Sequence, residues 1–344
     1  MLKDTLRELC ALNGVSGCED DVRAYIKEKA APYATEMRVD ALGNLIVFKK
    51  GQKSTGSKLL LAAHMDEVGL MVKEVTEKGY LKFACVGGID RRVLLSKPVV
   101  VGKDKLPGVI GLKPIHLTTG EERKSTPKVK EMCIDIGAKD KEEAEKLVSP
   151  GDYVSFVSDW VEFGDGFVKA KAIDDRLGCA VMLELLKEDL PMDCTFAFTV
   201  QEEIGCRGAF GAAFSVKPKI ALVLETTTAA DLAGVKGEKK VCCLGEGPVV
   251  PFMDNGSIAD RGLYELTRQL AEENGLPWQT KHMVAGGNDA RAIQRSREGV
   301  RTVVMSAAVR YLHAPSTVAC AKDFDNIFKL AKLFIQAIAQ EEDQ

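Results

Sequence analysis

Hydrophobic residues recur along this chain with two different periods, and the switch between them divides it. Leu2, Leu6 and Leu9 share one helical face that ends at Gly14, and Val22, Tyr25, Ile26 and Ala30 repeat the pattern before Pro32, so two helices open the chain. Residues 37–39 and 44–48 flank a turn, and 58–63 form a short continuous apolar strand ending at His64. From 69 to 167 the texture changes to short alternating runs at 70–75, 80–84, 98–101, 108–110, 132–136 and 153–157, interrupted by one helix near 141–148. Such spacing predicts a small β-barrel or sandwich inserted into an outer domain. Its polar stretch 117–130, LTTGEERKSTPKVK, reads as a loop. Beyond Lys171 the longer period resumes, with a helix over 175–190, buried strands over 195–200 and 220–224, helices over 261–273 and 289–295, a strand at 303–305 and an amphipathic helix over 324–339. The expected fold class is therefore α/β. Residues 1–68 and 168–344 form a discontinuous domain with a central mixed β-sheet flanked by helices, and 69–167 form the inserted β-barrel.

Composition narrows the possible functions. With 46% hydrophobic and 28% charged residues over 344 positions, there is room for one large domain or two smaller ones. A net charge of -3 and dispersed Lys and Arg argue against nucleic acid as a partner. No signal-peptide core opens the chain and no stretch of about 18 apolar residues occurs, so a cytoplasmic location without membrane insertion is expected. The ten cysteines form no C-x-x-C pair, which suits buried reduced thiols rather than structural zinc.

The candidate chemistry gathers where strands end. Ligands of open α/β sheets bind beyond the carboxyl ends of the strands. The run 195–200 leads there into Glu202 and Glu203, whose side chains diverge, so that one can hold a metal while the other takes a proton from water. His64 ends its strand in AAHMDEVG, and Asp66 two residues on is placed to fix its tautomer and orientation. In KAIDDRLG, Asp175 suits a helix N-cap, which leaves Asp174 without a structural task. Glu225 ends the next strand in VLETTTAAD, and His313 follows the last one in RYLHAPS. His116 and His282 have no neighbouring acid and read as structural or substrate-facing. Two imidazoles and four carboxylates on one side of a sheet fit two divalent metals about 3.5–4 Å apart, bridged by a carboxylate, for hydrolysis. Donors of N and O without sulfur favour Zn²⁺, Co²⁺ or Mn²⁺.

The ordered set AHMDEVG, KAIDDRLG, QEEIGCRGA, VLETTTAAD, GGNDARAI and RYLHAPS resembles the tetrahedral aminopeptidases, dinuclear metallopeptidases also called glutamyl aminopeptidase or, misleadingly, endoglucanase M. GGID, IDIGA and PGDYV extend the similarity through the insert. The resemblance implies that His64 and Glu225 hold one metal, Glu203 and His313 the other, and Asp174 bridges them. It further implies that Asp66 orients His64, that Glu202 is the general base, and that peptides are the substrates. A PDZ-like insert making dimer contacts and a tetrahedral dodecamer, hence a homo-oligomer, are implied as well. Two departures stand out: Glu225 replaces a commoner aspartate, which alters metal affinity without abolishing it, and MSAAVRYLHAPSTV differs around the substrate pocket. A carboxypeptidase or deacylase on the same two-metal centre is the main rival. A glycoside hydrolase fits poorly, because 6% aromatic residues offer little for stacking sugars and the histidines would have no role. A non-catalytic scaffold would not need the full ligand set.

Overall fold

In the computed structural model, which describes residues 2–56 and 58–341, helices α1 (Leu2–Cys10) and α2 (Asp20–Ala30) precede strands β1 (Glu36–Val39), β2 (Leu45–Lys49) and β3 (Leu59–His64). The middle of the chain supplies β4 (Gly69–Val75), β5 (Leu81–Val86), β6 (Pro98–Val101), β7 (Leu106–Gly111), β8 (Cys133–Asp135), helix α3 (Lys141–Glu145) and β9 (Tyr153–Phe156). The remainder runs β10 (Val161–Phe163), β11 (Phe167–Ala170), α4 (Ile173–Leu185), β12 (Cys194–Thr199), α5 (Arg207–Val216), β13 (Ile220–Thr228), α6 (Arg261–Glu273), α7 (Ala290–Ile293), β14 (Arg301–Arg310), β15 (Thr317–Cys320) and α8 (Ala321–Glu341).

A nine-stranded sheet in the order β1-β2-β12-β3-β13-β14-β15-β11-β10 carries the outer unit, and β4 to β9 close into a six-stranded barrel. The fold is mixed α/β, as its periodicities imply. Strands β12, β3, β13 and β14 run parallel at the centre of the sheet. Both faces are covered, so β3 is apolar throughout. Leu59, Leu61 and Ala63 pack in the layer that contains residues of α1, α4 and α8, whereas Leu60 and Ala62 pack with α5 and α7. Phe196 and Phe198 of β12 are fully buried there, and truncating either to Ala should cost about 3–5 kcal/mol. The barrel has its own core around Leu70, Val99, Ile134 and Val154.

Helix α5, the hairpin β10–β11 and strand β15 escaped the periodic pattern. Helix α5 buries only Gly208, Ala209, Ala212 and Ala213 while exposing Phe210 and Phe214, so it has no apolar stripe of large residues to read. The hairpin β10–β11, lying partly within 69–167, pairs through β11 with β15 in the large sheet, in register Phe167↔Cys320 to Ala170↔Thr317. The barrel strands thus lie between Gly69 and Phe156, and the chain has rejoined the sheet by Val161.

Candidate metal centre

Five chain segments deliver the site to one end of the parallel strands. Registers Thr199↔His64 and Val223↔Ala62 align the carboxyl ends of β12, β3 and β13. Pairing between β3 and β13 stops at Val223, and Glu225 projects just beyond that parting. The segment after β14 turns back through Tyr311 and His313, both with positive φ (61° and 55°). Asp174 lies before the regular part of α4, where Asp174 and Asp175 have non-helical angles and their peptide bond is cis. Asp175 Oδ1 accepts from the Gly178 N–H at 2.9 Å, the capping role its position suggested, and its Oδ2 accepts from the His64 N–H at 3.3 Å. Gly178 permits this closeness, since a Cβ there would stand 2.8 Å from the Ala63 Cβ.

His64 Nε2 lies 3.4 Å from Asp174 Oδ1 and 3.5 Å from Glu225 Oε1. His313 Nε2 lies 3.4 Å from Asp174 Oδ2 and 3.3 Å from Glu203 Oε2. The other ring nitrogens are already engaged: Nδ1 of His64 donates to the Asp66 carbonyl and Nδ1 of His313 to the Gly88 carbonyl, each at 3.0 Å. A ring whose Nδ1–H is held by a carbonyl presents its Nε2 lone pair to a cation. Separations of 3.3–3.5 Å exceed the roughly 2.7–2.9 Å of a charge-assisted hydrogen bond. They match the roughly 3.4 Å between ligand atoms around one tetrahedral ion. Asp174 Oδ1 is buried without a hydrogen-bond partner, and Asp174 contributes an oxygen to both ligand triplets. The donor set thus fits two divalent cations sharing Asp174.

Without cations the same crowding is resolved by protons. Burial raises the carboxyls of Glu203 and Glu225 well above their ordinary range, helped by Asp174 and Asp175 respectively. Burial opposes charge on His64, yet Glu225, Asp174 and Asp66 raise its pKa well above the usual value. His313 reaches about 9 against the same opposition from burial, through Asp174 and Glu203. Asp174 is lowered despite burial by its two histidine partners.

Asp66 is fully buried and ties these pieces together. Its Oδ1 is 3.4 Å from His64 Nδ1 and accepts from the Glu202 N–H at 3.0 Å. Its Oδ2 accepts from the Glu203 N–H at 3.2 Å and from Ser16 Oγ at 2.6 Å. The corner it stabilises begins at Gln201, with φ of 58°, a conformation that costs about 1–3 kcal/mol and recurs at functional sites. Beneath this corner Arg176, fully buried, donates to the carbonyls of Met65 and Leu9 at 2.7 Å, while Glu67 receives Lys171 at 2.7 Å. Ser16, Gly88, Glu67, Lys171 and Arg176 were not singled out by sequence. Glu67, Lys171 and Arg176 lie inside the AHMDEVG and KAIDDRLG runs and Gly88 inside GGID, whereas Ser16 lies in none of the quoted runs.

His116 and His282 join no ligand cluster among the described residues, and His282 sits in a bend. A cleft of about 200 Å³ adjoins the centre, bordered by Glu202, Glu225, Thr226, Thr228, Met283 and Leu312. A larger cavity of about 710 Å³ lies at the opposite strand ends, near Lys219 and Arg301, and no residue of a ligand cluster lines it. Chemistry, not cavity size, identifies the site.

The family model described as M42 glutamyl aminopeptidase matches residues 43–330. The lysyl aminopeptidase of Pyrococcus furiosus is 31% identical over 344 residues, covering 97% of each chain. A TET aminopeptidase from the marine sediment archaeon Thaumarchaeota archaeon SCGC AB-539-E09 superposes with a TM-score of 0.94 at 34% identity, covering 99% of this chain and 97% of that one. The TET1 peptidase of Pyrococcus horikoshii, which can assemble into a tetrahedron or a large octahedral shell, superposes with a TM-score of 0.86 at 34% identity, covering 97% and 99%.

Proposed function

The chain belongs to the M42 glutamyl aminopeptidase family and is a metallo-aminopeptidase, and on that premise we propose that it removes amino-terminal residues from peptides at a centre of two divalent cations. The carrying observation is the convergence of two tautomer-fixed imidazoles on the oxygens of one buried aspartate. In this reading His64 and Glu225 would hold one cation and Glu203 and His313 the other, with Asp174 shared between them. Zn²⁺, Co²⁺ and Mn²⁺ all suit the N and O donors. When bound, the cations supply Lewis acidity toward the scissile carbonyl and lower the pKa of water.

The chain's own groups do the rest. Glu202, beside the ligands yet in neither of the two triplets, takes the proton of the attacking water and delivers it to the departing amine. Burial raises its carboxyl, with Asp66 adding to the effect, which suits a group that must both accept and release a proton. Asp66 positions Glu202, Glu203 and His64 together, and the adjoining cleft receives the amino-terminal end of the peptide. The catalytic unit comprises the two ends of the chain, and the barrel serves assembly into a homo-oligomer. Ile115 and Leu117, 72% and 59% exposed, are apolar groups that an assembly would cover. The likeness to the P. horikoshii TET1 peptidase, which can assemble into a tetrahedron or a large octahedral shell, and to a TET1 structure described as a dodecamer supports a large homo-oligomer such as a tetrahedral dodecamer. No helix among the described residues is long and apolar enough to cross a membrane, consistent with a cytoplasmic site of action.

The test is hydrolysis of aminoacyl-4-nitroanilides and of matched peptides with free or blocked amino termini, after chelation and add-back of Zn²⁺, Co²⁺ or Mn²⁺. Activity should vanish with chelation, return with metal, and require the free amine. Equal turnover of blocked peptides would instead indicate a deacylase or carboxypeptidase.

A further inference from the structure

Behind Glu202 stands a group of side chains that the catalytic reading leaves without a task. Cys206 immediately precedes α5, and Asp289, from the GGNDARAI run, immediately precedes α7. Ligand-type atoms of Glu202, Cys206 and Asp289 all lie within 4.8 Å of one another. Cys206 Sγ donates to Glu202 Oε1 at 3.1 Å. Asp289 Oδ2 is 2.5 Å from Thr199 Oγ1, which also lies 3.1 Å from the Ala63 carbonyl. Asp289 Oδ1 has no hydrogen-bond partner, although the residue is only 1% exposed. A buried carboxylate oxygen left unpaired is costly, and it is the oxygen free to serve the cluster.

From this arrangement we infer that Glu202, Cys206 and Asp289 form a third cation site, suited to a thiophilic divalent ion such as Zn²⁺ or Cd²⁺, whose occupation withdraws Glu202 from the reaction. Around a tetrahedral ion, sulfur and oxygen ligands stand about 3.4–3.6 Å apart, so side-chain rotations suffice to close the present cluster on an ion. The thiol sets this site apart from the two catalytic triplets, which contain no sulfur, and it favours softer ions. Burial, with Asp289 and Glu202 nearby, raises the Cys206 thiol far above its ordinary range, so the ion must replace the thiol proton, which leaves to solvent. No oxidation or reduction is involved. Glu202 and Asn288 border the catalytic cleft, which provides the entry path. The inhibitory consequence rests on Glu202 being the general base; the site itself does not.

The experiment titrates the cobalt-loaded enzyme with Cd²⁺ while recording cadmium–thiolate ultraviolet absorption, retained cobalt and activity. One further equivalent should bind with the thiolate band, cobalt should stay, and activity should fall at least about tenfold, a conservative share of a general base's contribution. Cys206→Ala should abolish the band and raise the inhibiting Cd²⁺ concentration at least about tenfold, and Asp289→Asn should raise it without removing the band. Absence of a band in the unaltered enzyme, inhibition only with release of cobalt, or identical inhibition of Cys206→Ala overturns the site. A band and a third equivalent without loss of activity support the site and contradict Glu202 as the base.

Discussion

The two halves of the centre are built differently, although each offers one imidazole and one glutamate to the same aspartate. The His64 half belongs to the sheet: His64 ends β3, is 1% exposed, and bonds to the chain two residues on, while Glu225 lies within β13. The His313 half is assembled across the molecule. His313 sits on an irregular turn with its side chain 34% exposed, and its ring is held by Gly88 in the GGID segment after β5. Glu203 follows the strained corner at Gln201. Strand ends give a ligand its place as part of folding, whereas a ligand on a loop depends on whatever docks against it. The segment after β5 therefore touches the candidate centre through one carbonyl, that of Gly88.

Removing each imidazole in turn should separate the two halves most sharply. His64→Ala should abolish activity, at least about 10³-fold, and leave Asp66, Asp174 and Glu225 without their common partner. His313→Ala should lose one metal and regain part of its rate in excess metal. Metal content with kcat at rising metal concentration checks this, and equal rescue of both variants would erase the distinction. Gly87→Ala acts on the loop half alone. With φ of 87° and a would-be Cβ 2.8 Å from Val68 Cγ1 and 3.3 Å from the Glu203 Cβ, it should shift Gly88 and Glu203 and weaken one metal about tenfold, leaving the other unchanged. Stepwise binding curves by calorimetry would separate the two affinities.

A smaller effect follows from pH. In chelated protein the His313 pKa is raised to about 9, so its ion pairs with Asp174 and Glu203 stabilise the fold fully below the unfolded value near 6.5 and are lost as pH rises through about 9. The metal-loaded protein should move the other way over the same window, because binding displaces that proton and tightens as pH rises. Melting temperatures with and without chelator between pH 6 and 10 should therefore diverge; parallel curves would show that His313 carries no linked proton.

How far the site was legible follows the same division. His64, Glu202 and Glu203 could be read because a short apolar run ends and polar, metal-competent residues begin, a purely local signal. Asp174 emerged once Asp175 was accounted for as the cap, which the Gly178 N–H bears out. The Gly88 carbonyl could not be read, since a backbone acceptor leaves no mark in side-chain type and its partner is His313, far along the chain. Ser16 against Asp66, 50 residues apart, is likewise beyond any local pattern. The barrel was visible as a change of period, but the point where the chain rejoins the sheet was not, because β11 finds its partner β15 only at the far end of the sequence. Helix α5 hid because small residues on its buried face carry no hydrophobic signature.

In the proposed mechanism two adjacent glutamates just beyond β12 divide the labour, one holding a cation and the other moving a proton. Metal stoichiometry and kcat of Glu202→Gln and Glu203→Gln, prepared in parallel, test it most directly. Glu202→Gln should retain both metals while its rate falls roughly 10²–10⁴-fold, about 3–5 kcal/mol of barrier, beyond rescue by added metal. Glu203→Gln should lose one metal and recover in part when metal is supplied in excess. If instead Glu202→Gln loses a metal while Glu203→Gln keeps both and is merely slow, or if both remain fully active, the account is contradicted.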